Sequence, residues 1–266
     1  PDADARSEGS FAYPELRIAY DAGGPRPNLS RAFARLNQPG VYASSIARPA
    51  LFPRYLKDQV GHLVRDYGVS IEVGRSASEI PYPYVLGDGE LVLGGTGTTE
   101  LSRWFPSSEL VHIGDEIADG IWDGTLRSTR PLALFDAPRT DFSLHRLRHY
   151  TGTPADHFQH FVLFTNYVRY VDEFVRFAIE ALRSPNPAYS GLSVPGTFYE
   201  PGKLAGAEEE IASGTWRRHQ MPAYHLMADE NCGITLVNIG VGPSNANTIC
   251  DHIAVLRPEV WLMIGH

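Results

Sequence analysis

The segment Ile239-Gly240-Val241-Gly242-Pro243-Ser244-Asn245 carries the strongest chemical signal in the chain. An apolar run enters a glycine-rich turn, and the turn opens a helical pattern. Glycine lets backbone approach a ligand closely, and a helix N-terminus offers free N–H groups and a positive dipole. The pattern therefore fits contact with a phosphate or a sugar. The plain alternative is a tight strand-to-helix turn without a ligand. A dinucleotide fingerprint would require a third glycine where Asn245 stands, and an acidic residue after the next strand. The second signal is Phe164-Thr165-Asn166-Tyr167-Val168-Arg169, again a junction of strand and helix. Arg169 falls in the first helical turn, where the dipole disfavours a cation. A bound anion reverses that penalty, because a guanidinium and a helix N-terminus can share a phosphate. The alternative for Arg169 is a surface ion pair with Asp172 or Glu173.

Weaker signals surround these two. His157 and His160 lie three residues apart, yet no further Cys, Asp or Glu near them has zinc spacing. Arg217-Arg218-His219 is a basic cluster that could meet phosphate or form a solvated turn. Asp251-His252 reads as a helix-surface pair. Cys232 and Cys250 sit in no nucleophile motif, and the G-x-S-x-G, Walker A and H-E-x-x-H patterns are absent.

The elements that position these residues follow from periodicity. Phe161–Phe164 reads as a short apolar strand, and Val168–Leu182 as a helix with 171, 174, 175, 178, 179 and 182 on one face. Residues 184–214 are rich in Pro, Gly and Ser and read as a long loop or insertion. Met221–Met227 and Ile234–Ile239 read as strands, and Ser244–Leu256 as a helix capped by Ser244 and stopped at Arg257-Pro258. Val260–Ile264 reads as a buried parallel strand. The region 146–266 is thus expected to be α/β, preceded by an α+β unit over 11–145 and a disordered tail over 1–10. In the α+β unit, 51–67 has helical spacing ended by Gly68, and Val69–Val73 alternates like a strand. Gly87-Asp88-Gly89 reads as a hairpin turn, Asp115–Trp122 as a short helix, and 141–154 as a boundary.

Composition limits the partners. The 266 residues carry 31 acidic against 23 basic side chains, a net charge of −8. That balance argues against non-specific binding to nucleic acid or to anionic membranes. No apolar run reaches the ~18 residues of a membrane span, no signal-peptide pattern opens the chain, and two cysteines are too few for a disulfide scaffold. A cytoplasmic location is the default. The chain starts at Pro1 and stops at His266, directly after an apolar strand. Loops and a crossover helix normally follow such a strand, so further chain is expected.

Several long motifs resemble the bacterial AMP nucleosidase family. They are Gly233–His266, His149-Tyr-Thr-Gly-Thr-Pro154, Phe161–Tyr167, Tyr170-Val-Asp-Glu-Phe174 and Glu79-Ile-Pro-Tyr-Pro-Tyr-Val85, and the likeness spans about 11–266. The resemblance implies hydrolysis of AMP to adenine and ribose 5-phosphate. It implies a nucleoside phosphorylase-like α/β catalytic domain behind a regulatory domain, and a homohexamer activated by MgATP and inhibited by inorganic phosphate. No cofactor is implied for the chemistry, and no metal.

The resemblance also implies roles by position. Thr165, Asn166 and Arg169 stand in the phosphate loop, with His266 where phosphorylases carry a phosphate-binding Ser. Gly240, Val241 and Gly242 stand in the turn against ribose, with Gly265 at the next strand end. The family's acid, an Asp in a Val-Ser-Asp-Lys-like motif, and its Met-Glu pair for the ribose hydroxyls do not occur in residues 1–266, so the acid is expected beyond 266. Two other readings are open. A nucleoside phosphorylase of the same fold would consume phosphate, and a nucleotide-sensing protein would bind AMP or ATP without turnover.

Overall fold

A computed structural model describes residues 11–21, 23, 34–85, 103, 113, 116–125, 129–185, 187–214 and 218–265. The tail over 1–10, Gly87-Asp88-Gly89, Arg217 and His266 lie outside the described residues. The chain divides into two compact units, 1–142 and 143–266.

The first unit holds a four-stranded sheet ordered β3-β1-β2-β4, from β1 (Ala12–Tyr20), β2 (Gly40–Ser45), β3 (Ile71–Glu79) and β4 (Thr129–Pro131). β1 runs antiparallel to both β2 and β3, and β2 parallel to β4. Helix α1 (Pro53–Tyr67) ends as its spacing predicts. Gly68 sits at φ +62° and donates its N–H to Val64 O at 2.9 Å, a left-handed cap that favours glycine. Ile18, Tyr20, Leu36, Tyr42, Leu63 and Val69 form the core. The short helix expected over 115–122 is a run of turns at Glu116–Gly120.

The boundary segment expected at 141–154 is largely part of one helix, α2 (Ala137–Thr151), and the division of units, between 142 and 143, falls inside both. Its Arg- and His-rich sequence looks solvent-facing, but Arg139, Thr140, Asp141 and Ser143 are buried. Asp141 is 3% exposed and accepts the Tyr13 hydroxyl at 2.9 Å and Arg48 Nε at 3.3 Å. Burial, with the Asp141 carboxylate beside it, pushes the Tyr13 phenol far above its ordinary range.

The second unit is α/β. Its six-stranded sheet is ordered β10-β5-β9-β8-β6-β7, from β5 (Phe161–Thr165), β6 (Gly191–Val194), β7 (Thr197–Tyr199), β8 (Ala223–Met227), β9 (Ile234–Asn238) and β10 (Val260–Met263). β10, β5 and β9 are parallel, and β8, β6 and β7 continue antiparallel. Helix α3 (Val168–Leu182) buries Val171, Phe174, Val175, Ala178, Ile179 and Leu182, the face its spacing marks. These residues pack on Leu192, Val194, Tyr224, Leu226 and Leu236 of the sheet.

Two expectations change here. Residues 184–214 are not a loop; they hold the β6–β7 hairpin and helix α4 (Ala207–Ser213). The hairpin turns at Pro195-Gly196 with Gly196 at φ +79°, so its Pro and Gly are turn residues. β10 is parallel as expected but not buried. It lies at the sheet edge, with Val260, Trp261, Leu262 and Met263 all exposed.

Candidate functional site

Parallel pairing brings the two glycine- and Arg-bearing junctions to one sheet edge. Thr165 of β5 stands opposite Asn238 of β9, and Phe164 opposite Met263 of β10. Two backbone bonds beyond the strands hold the exits in register. Ile239 N–H donates to Thr165 O, and Ile264 N–H to Phe164 O, both at 2.8 Å. Thr165-Asn166, Ile239-Gly240 and Ile264-Gly265 therefore leave the sheet side by side.

The glycine turn is braced by two asparagines. Asn238 Oδ1 accepts Gly240 N–H at 3.0 Å, and Asn245 Nδ2 donates to Ile239 O at 3.0 Å. Asn245 Oδ1 in turn accepts Gln220 Nε2 at 2.9 Å. The residue standing where a dinucleotide fingerprint wants glycine thus laces the turn to the strand. Gly240 sits at φ +61° and Gly242 at φ +117°, backbone that side chains rarely adopt. Gly242→Ala is expected to cost about 1–3 kcal/mol of stability in denaturant unfolding. Helix α5 (Pro243–Ile253) starts one residue before the expected Ser244 cap. Gly242 takes the cap position, and Pro243, with its preset φ, the first helical one. Val241, at the tip, is 91% exposed, unusual for a valine held on a braced turn.

The second junction is built differently. Thr165 is fully buried, and its Oγ1 accepts Tyr167 N–H at 3.2 Å. Its hydroxyl turns the chain into α3. Asn166 Oδ1 is buried with no hydrogen-bond partner among the described residues. A Cβ on Gly265 would meet that oxygen at 3.1 Å, so glycine at 265 is what allows the close approach. Arg169 is exposed in the first turn of α3. The ion pair offered as its alternative does not form: Glu173 pairs with Arg176 at 2.9 Å, and Arg169 has no anionic partner among the described residues. No side chain caps α3. An uncapped helix start beside a free guanidinium is an arrangement suited to an anion.

With this geometry in place, similarity to known proteins can be read. Residues 1–128 match the family model described as the bacterial AMP nucleoside phosphorylase N-terminus. The AMP nucleosidases of Escherichia coli K12 and of E. coli O157:H7 are each 53% identical over 266 residues, all of this chain and 54% of theirs. The chain is therefore similar over all of its length to part of the AMP nucleosidases. It spans about half the length of the curated relatives it matches. A solved AMP nucleosidase from Bacteroides thetaiotaomicron VPI-5482 aligns at 20% identity and a TM-score of 0.31, covering 47% of this chain and 38% of that one. The region aligned with the E. coli AMP nucleosidases covers both junctions just described.

Other residues singled out by type stand away from this edge. His252 is not on a helix surface: it is 6% exposed, with Nδ1 at 3.2 Å from Ser143 Oγ and its ring stacked on Tyr150. It shares the buried stripe of α5 with Ile249 and Ile253. His157 Nδ1 lies 2.7 Å from Ser193 Oγ, and burial lowers its pKa. Burial raises the pKa of the Cys250 thiol. The residue that sequence reading passed over is His225, fully buried on β8. Its Nδ1 and Nε2 lie 2.8 Å from the hydroxyls of Thr235 and Thr153. Only its position inside an otherwise apolar strand, Ala-Tyr-His-Leu-Met, marks it.

Proposed function

We propose that this chain supplies the regulatory part and the phosphate- and ribose-binding part of an AMP nucleosidase, which hydrolyses AMP to adenine and ribose 5-phosphate. The observation that carries the reading is Arg169, an exposed guanidinium without an anionic partner among the described residues at the uncapped start of α3. Similarity over all of this chain to about half of the AMP nucleosidases supports the substrate class. Arg169 and the N-terminal N–H groups of α3 take a phosphate, substrate or inhibitory, and the family resemblance adds His266 to that phosphate site. Thr165 shapes the turn from beneath. Asn166 Oδ1 awaits a donor such as a sugar hydroxyl. Gly240, Val241, Gly242 and Gly265 let backbone approach the ribose.

The chemistry sets what else is required. The bond from C1′ to adenine N9 breaks through an oxocarbenium-like transition state, and water adds its oxygen to C1′. Adenine leaves poorly as an anion, so a general acid must protonate it; such an acid supplies ~10²–10⁴-fold. No residue of 1–266 is assigned that role. The 5′-phosphate provides remote binding energy that positions the sugar. The reading extends to a cytoplasmic homohexamer, activated by MgATP through the unit over 11–145 and inhibited by phosphate. No cofactor takes part in bond breaking.

Chromatography of AMP incubated with the complete natural protein, with and without MgATP, tests this. Adenine and ribose 5-phosphate, formed faster with MgATP, are expected. Dependence on inorganic phosphate would mean a phosphorylase, and bound but intact AMP would mean a nucleotide sensor.

A further inference from the structure

The insertion over 184–214 has no part in the function just proposed, yet it builds a wall of a cleft. Helix α4 stands across from the first half of α3, and β8 and the end of β9 lie beneath. The space is about 410 Å³, within the range of small-molecule sites. Val171 and Val175 of α3 and Ile211 of α4 make its walls apolar.

Tyr224 is 1% exposed and lines this cleft, and its hydroxyl has no hydrogen-bond partner among the described residues. Asp172 lines the same cleft and makes no ion pair or hydrogen bond among the described residues. Burial, and the Asp172 carboxylate nearby, hold the phenol of Tyr224 above its ordinary range, so the hydroxyl keeps its proton. Arg176, the cation on the rim, is shared between Glu173 at 2.9 Å and Glu208 at 3.7 Å. The cleft therefore offers a carboxylate acceptor and a neutral hydroxyl between apolar walls, with no spare positive charge. An anion is disfavoured there. A flat, neutral ring that carries N–H donors satisfies every group.

We propose that this cleft binds a neutral aminopurine, free adenine, at a site beside the phosphate- and ribose-binding edge and distinct from it. The choice of adenine rests on the proposed AMP cleavage, whose base product it is. Asn238 gives the site a route to the sugar edge, because it lines the cleft and also holds Gly240 N–H.

Equilibrium dialysis of adenine against the complete natural protein and against its Tyr224→Phe and Asp172→Asn variants tests the site, with AMP binding measured in parallel. Each variant is expected to weaken adenine binding about tenfold, the loss of one good hydrogen bond, and to change AMP affinity less than twofold. Tyr224→Phe removes one oxygen and keeps the packing. Absence of adenine binding, equal binding by all three proteins, or competitive displacement of adenine by AMP would overturn the site. AMP cleavage assayed on the same proteins separates the two readings. Cleavage without Tyr224-dependent adenine binding removes the cleft and leaves the nucleosidase. Tyr224-dependent adenine binding with AMP left intact keeps the cleft and removes the nucleosidase.

Discussion

Arg169→Ala is expected to weaken binding of AMP, or of inorganic phosphate, by about 1.5–3 kcal/mol, roughly 10- to 150-fold. The side chain is exposed and has no anionic partner among the described residues, so its removal leaves the packing of α3 alone. A loss confined to AMP places Arg169 on the substrate phosphate, and a loss confined to inorganic phosphate places it on the inhibitory one. Unchanged affinity for both removes the role. Arg169→Lys keeps the charge but not the planar fork, and should recover only part of the loss. The difference should shrink at high salt, because an exposed charge is screened.

His225→Ala is expected to cost about 3–5 kcal/mol of stability, read from denaturant unfolding. The reason is a single chain of protons through the core. Thr151 donates to Leu147 O at 2.8 Å, so in its 2.9 Å contact with Thr153 it must accept. Thr153 therefore accepts from His225 Nε2–H, and Nδ1 must accept from Thr235, whose oxygen also takes Gln159 N–H at 2.8 Å. Every group is satisfied only if the imidazole is neutral. A second proton on Nδ1 would face the Thr235 hydroxyl proton. Burial first, and His157 nearby, accordingly hold the His225 pKa well below the 6.5 of a free histidine. The folded state thus binds fewer protons than the unfolded chain below pH 6.5. Stability from this residue is complete above that pH and falls as acid is added, by about 1.4 kcal/mol per pH unit until the folded pKa is reached. A stability flat between pH 7 and 5 would contradict the proton chain. In the alanine variant the slope should lessen along with the stability.

Much of the functional unit is written in local pattern. The apolar spacing of α3 names its buried face residue by residue, because an amphipathic helix on a sheet has one way to hide its stripe. The run Ile234–Gly242 announces a strand, a glycine turn and a helix, and the structure forms them with one shift at Pro243. Arg169 stands out in sequence as a cation in a first turn, and it stays uncompensated in the fold. Where the pattern misled, pairing across long separations was responsible. The helix across the boundary, α2, was hidden in a polar segment because its Asp141 is matched by Tyr13, 128 residues away. The segment over 184–214 looked like a loop because β6 is short and buried on both faces, which leaves no alternation to read. β10 looked like a core strand because apolar content reports affinity for a neighbour, not whether one is present.

The sequence by itself therefore determined the junctions, the phase of α3 and the likeness to AMP nucleosidases. Only the tertiary structure decided that the two junctions share one edge, that Asn166 and Gly265 lie close, that both ring nitrogens of His225 meet threonine hydroxyls in the core, and that α4 encloses a cleft over Tyr224. Periodicity reports which side of an element avoids water. Hydrogen-bond partners, charge pairing and enclosed space depend on what stands across from it, and chain folding alone supplies that.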